Sequence, residues 1–140
     1  MALIGILTLA PAAAVWVLTS GPRSTTVERS TRVAQAAFEE ETGIRVIRVA
    51  LTGGGGLVDF RYQVIDPDKA EVVHLYPPNL VDEKTGDVID ALFMGHSHRG
   101  NPKAGYTYPL LFVNRAGLVQ PGGAVAVVIG DWRLEHVPVM

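Results

Sequence analysis

The first twenty residues, MALIGILTLAPAAAVWVLTS, hold no charged side chain, and all 12 Lys and Arg and all 14 Asp and Glu residues follow them. A stretch this apolar is poorly suited to a solvated helix or a half-wet strand. It must be buried in lipid or in protein. Ala2 to Leu18 is apolar but for Gly5, Thr8 and Pro11. A helix of about 18 residues at roughly 1.5 Å rise is just long enough for a thin hydrocarbon core. The expectation is a retained transmembrane anchor over residues 1–20. A cleaved signal peptide fits less well, because no Lys or Arg precedes the apolar run. A buried helix of a soluble domain fits less well still, since Pro11 would kink it, whereas membrane helices tolerate such breaks. Trp16 stands where an indole suits the headgroup region.

The charges that follow oppose a simple orientation. Arg23, Arg29 and Arg32 would hold the C-terminal part in the cytoplasm by the positive-inside rule. An apolar leader before a β-rich domain more often exports that domain. The expectation is a single-pass protein with its soluble part on the periplasmic, extracytoplasmic side.

Beyond the anchor, helical spacing holds until Gly43. Thr25 and Glu28 fit a capping box, and Val27, Val33, Ala34, Ala37 and Phe38 recur on one face. Residues 21–43 therefore read as a linker and a short amphipathic helix over 26–42, packed on whatever follows. From Ile44 the period becomes two. Val58, Phe60, Tyr62 and Val64 alternate with Asp59, Arg61 and Gln63, as in a strand with one wet face. Further strands are expected over 44–51, 71–76, 79–82, 87–93, 106–114, 124–129 and 132–139. Asp66-Pro67-Asp68 and Glu83-Lys84-Thr85-Gly86 read as turns. Tyr108, Leu110, Phe112 and Leu118 are candidate core residues, as are Tyr106 and Trp132. Asp59, Arg61, Arg133 and Glu135 are expected to pair across strands. Short strands at this spacing give a mainly β protein, with residues 44–140 as one antiparallel sandwich, immunoglobulin-like or cupredoxin-like in plan.

Composition removes several classes of chemistry. The chain has no cysteine, which excludes disulfides, thiolate metal sites and a cysteine nucleophile. A net charge of −2 without a basic stripe argues against nucleic acid as a partner. Gly53 to Gly56 lacks the Lys-Ser/Thr of a phosphate loop. Around Ser97 the nucleophile-elbow pattern fails at Arg99, where it needs glycine. No catalytic residues are expected.

One segment carries metal chemistry. In Met94-Gly95-His96-Ser97-His98 an extended backbone would turn both imidazoles to one side. Imidazoles suit copper and zinc, and a thioether favours Cu(I). His74 and His136 could complete the shell. The plainer reading is a polar loop between strands. The expected function is that of a non-enzymatic, membrane-anchored accessory subunit or interaction module of a membrane protein complex. The alternative is an extracytoplasmic copper-binding protein using Met94, His96 and His98.

Overall fold

Alternation along Leu57–Val64 decides the centre of the first sheet. The structure, a computed structural model, describes residues 23–93 and 100–140, with side chains from Thr26 onward. The anchor expected over residues 1–20 lies outside them, as do Met94, His96 and His98. No helix among the described residues is long and apolar enough to cross a membrane. The chain runs α1 (Arg23–Thr42), β1 (Ile44–Thr52), β2 (Leu57–Val64), α2 (Pro67–Ala70), α3 (Val72–Leu75), β3 (Asn79–Asp82), β4 (Val88–Ile89), β5 (Thr107–Val113), β6 (Ala124–Ile129) and β7 (Trp132–Pro138). It is mostly β, in two antiparallel sheets, ordered β1-β2-β5 and β4-β3-β6-β7.

Val58, Phe60, Tyr62 and Val64 are all buried between the sheets, as the period of two requires. Across β2 they meet Phe112, Leu110 and Tyr108 of β5. The second sheet contributes Leu80, Val125, Val127, Ile129 and Leu134. Each fully buried large apolar side chain contributes roughly 1.5–3 kcal/mol of transfer free energy. Burial also pushes the Tyr62 phenol up to about 12, with Tyr108 adding to the shift.

Two segments close the sandwich along its edges. Residues 91–93 leave β4 and pair with β5, through Phe93 N–H to Leu111 O and Val113 N–H to Ala91 O, both at 2.7 Å. The C-terminal residues leave β7 and pair with β1, through Met140 N–H to Val49 O at 3.0 Å and Leu51 N–H to Met140 O at 2.9 Å. Pro109 sits inside β5 without breaking the central ladder. Odd-numbered residues of β5 turn their N–H towards the outer edge, as Val113 does, so the missing proline donor costs no bond to β2.

Several sequence expectations change. Residues 71–76 are not a strand. Asp66 Oδ1 accepts from Asp68 and Lys69 N–H at 3.0 and 3.4 Å, and Pro67 occupies the first helical turn. That is a helix start, not a reversal. Ala70 and Val73 then bury at a spacing of three. β4 is cut to Val88–Ile89 because the chain crosses to the other sheet. Helix α1 already includes Arg23, so Thr25 lies within it and not at its cap.

The apolar face expected along α1 is buried only at its C-terminal end. Phe38 and Thr42 are buried, whereas Val27 and Val33 are each 64% exposed. Tyr106 and Trp132 are also 59% and 40% exposed rather than core. Tyr106 precedes β5 and lies under the Lys103 ammonium, 5.7 Å from its ring centroid. Trp132 opens β7, the edge strand of its sheet, directly after the hairpin turn.

Candidate functional site

The outer face of the first sheet carries a charge cluster that borders a cleft. Its geometry depends on a β-bulge. Arg45 pairs with Gln63 and Val46 with Tyr62, but the register shifts before Arg48, which pairs with Arg61. Ile47 is the extra residue. Without the bulge, period two would put Arg45 and Val49 on one face. With it, Ile44, Val49 and Leu51 turn inward while Arg45 and Arg48 both turn outward.

Arg48 thereby reaches Asp59 of β2. Asp59 is 5% exposed, although it belongs to the face expected to be wet. Its carboxylate accepts from Arg48 Nη2, and from Arg61 Nε at 3.2 and 3.0 Å. A carboxylate so buried is tolerable only when paired in this way. The Arg48 Nε is itself buried without a hydrogen-bond partner. Among the described residues Arg61 spends only its Nε, so the end of its guanidinium fork makes no hydrogen bond.

Beside this triad lies a cleft of about 510 Å³. Asp59 and Arg61 form its charged end. Leu57, Leu111, Pro109 and the 46%-exposed Phe93 wall the remainder. The size falls within the roughly 300–1,000 Å³ usual for small-molecule sites.

The expected cross-strand pairs are therefore only partly of that kind. Arg61 and Asp59 sit two apart on one strand, as do Arg133 and Glu135 at 3.1 Å. The cross-strand partner of Asp59, Arg48, went unnoticed in the sequence. The clue was present in Ile44-Arg45-Val46-Ile47-Arg48-Val49: two arginines three apart in an otherwise apolar strand imply a change of face between them.

The histidines separate. Met94, His96 and His98 lie outside the described residues. Gly100, which follows that segment, lines a small cavity with His74, Tyr62 and Tyr108. His74 Nδ1 stands 3.3 Å from Glu71 Oε2. His136 lies in the other sheet. Its backbone is left-handed, with φ 61°, at the irregularity between β6 and β7. Its N–H donates to Glu83 Oε1 at 2.6 Å, and its Nδ1 lies 2.9 Å from Oε2. Burial alone would raise the Glu83 pKa, but these contacts with His136 and the nearby Arg133 charge outweigh it and hold it below its ordinary value. The described residues hold no group of three or more His, Asp or Glu able to bind a metal ion. Comparison with known proteins finds no matching family model, no matching curated protein and no matching solved structure.

Proposed function

We propose that this protein is a membrane-anchored, non-enzymatic accessory subunit or interaction module of a membrane protein complex. Residues 1–20 are its transmembrane helix, and an immunoglobulin-like or cupredoxin-like sandwich stands on the extracytoplasmic side. The observation that supports this reading is the exposure of Val27 and Val33, 64% each, on the helix that leads from the uncharged segment to the sandwich. Nothing else in the described chain covers these β-branched side chains, and a partner's helices would.

Gentle detergent extraction followed by mass spectrometry of whatever co-purifies tests this. A defined set of membrane subunits at constant stoichiometry is expected, and it should be lost from a chain lacking residues 1–20. An anchor-deleted chain that holds its partners at wild-type affinity, or a full chain that purifies alone, refutes it.

A second reading, copper binding through Met94, His96 and His98, is favoured by one observation. His74 shares a cavity with Gly100 and so stands beside the exit of that segment. About one equivalent of copper should then bind, more weakly below roughly pH 6, where imidazoles protonate. His96→Ala with His98→Ala should abolish uptake. Equal uptake by that double variant removes the metal reading.

A further inference from the structure

We infer that the outer-face cleft is a binding site for a small organic anion, a carboxylate carrying an apolar body. The argument begins with charge. Asp59 has one negative charge and faces two guanidiniums, so the triad keeps a surplus of one positive charge. Asp59 is 5% exposed and both of its oxygens are already engaged by Arg48 and Arg61. It cannot neutralise a second cation.

The surplus is presented in a fixed direction. The Arg61 Nε bonds to Asp59 hold the guanidinium plane, and Arg48 holds Asp59 from the neighbouring strand. A planar fork oriented through Nε leaves its two terminal nitrogens as a parallel pair of donors, the geometry that a carboxylate accepts. Preorganisation lowers the entropy cost that binding would otherwise carry.

The walls select the rest of the ligand. Leu57, Leu111, Pro109 and Phe93 contribute no charge and line the cleft next to Arg61. A small inorganic ion would leave them in water. An arylalkanoate or a short aliphatic acid would cover them while its carboxylate meets Arg61. Phe93 is half-exposed and offers its ring for stacking. This inference does not rest on the accessory-subunit reading, since the site is built from residues of this chain alone and needs no partner chain.

Calorimetric titration of naphthalene-2-acetate into the purified full chain tests the site. Saturable binding at one per chain is expected. The uncharged analogue 2-(2-naphthyl)ethanol and plain acetate should each bind at least roughly tenfold more weakly, as the loss of a charge-assisted hydrogen bond or of the apolar contact implies. Arg61→Met should weaken naphthalene-2-acetate by a similar factor, with little change for the alcohol. Arg133→Met, on β7, should leave both unchanged. Should Arg61→Met fold poorly, the comparison of acid, alcohol and acetate on the wild-type chain still decides. Equal binding of acid and alcohol, unchanged affinity in a folded Arg61→Met chain, or no saturable uptake by the wild type overturns the proposal.

Discussion

Phe60 and Arg61 are neighbours in sequence and opposites in environment. Phe60 is fully buried, with Phe112 and Tyr62 rings 6.3 and 5.8 Å away between centroids. Phe60→Ala should cost about 3–5 kcal/mol in urea unfolding, through lost transfer energy and a cavity between the sheets. Arg61→Ala should cost less than about 1 kcal/mol, because its side chain is 46% exposed and its ion pair is screened. Asp59→Ala belongs between them, at about 1–3 kcal/mol, since it strands the guanidiniums of Arg48 and Arg61. If Asp59→Ala proves as harmless as Arg61→Ala, the triad has no structural weight.

Protonation provides a second residue-scale test. Hydrogen bonds from the Arg45 guanidinium hold Glu39 below its ordinary value of 4.5, and the contacts with His136 do the same for Glu83 against its burial. A carboxylate depressed in the folded state contributes stability above its unfolded pKa and loses it as pH falls through the folded value. Melting temperature should therefore be flat near neutrality and fall once pH drops below about 4.5. Glu83→Gln should lower the neutral-pH value and shallow that decline. An unchanged acid limb in Glu83→Gln would mean that the His136 contact does not persist in solution.

At the scale of elements, the join between α1 and β1 is the most crowded glycine position among the described residues. Gly43 ends α1 with φ +68°, and its carbonyl accepts from Ile65 and Asp66 N–H at 2.8 and 3.0 Å. A Cβ there would lie 2.5 Å from Asp66 O and 2.8 Å from Ala70 N, both backbone atoms that cannot step aside. Gly54 has nearly the same conformation, φ +66°, in the β1–β2 turn, but nothing lies within 4 Å of its would-be Cβ. Gly54→Ala should cost only the left-handed penalty, about 1–2 kcal/mol. Gly43→Ala should cost at least about 3 kcal/mol, because steric displacement of α2 is added to that penalty. Matched denaturation curves of the two variants separate conformational strain from clash. Equal losses would show that α2 yields freely.

For the whole molecule, the question is where the folding unit starts. A unit of residues 44–140 was expected from the change of period at Ile44. Phe38 and Thr42, however, are buried against the sandwich at 4% and 0% exposure, and Thr42 Oγ1 donates to Phe38 O at 2.6 Å. The last turns of α1 thus roof the core, and Lys69 ties them to α2 through Glu40. A chain beginning at Ile44 should be less stable than one beginning at Arg23 by about 3 kcal/mol, the low end of the cost of losing a buried phenylalanine. Thermal melts of the two chains, with Phe38→Ala in the longer one, check this. If all three melt together, the helix is an appendage and not a roof.

Sequence by itself determined what depends on near neighbours along the chain. Alternation in 57–64 settled which side chains of β2 enter the core, because the strand period is geometric. The Glu83–Gly86 turn was legible for the same local reason: Asp82 caps it through Thr85 N–H at 2.9 Å, and Gly86 supplies a positive φ. Only the tertiary structure decided what depends on contacts far along the chain. The bulge at Ile47 reverses the parity of β1, and with it the face on which Arg48 meets Asp59. The burial of Asp59 needed two partners, one from another strand. Val27 and Phe38 share one helical stripe, yet only Phe38 lies over the sandwich. His74 and His136 looked equivalent in the sequence, and the strand order sent them to different sheets' surroundings. Periodicity encodes which way a side chain points relative to its own backbone, and only the assembled sheets determine what stands opposite.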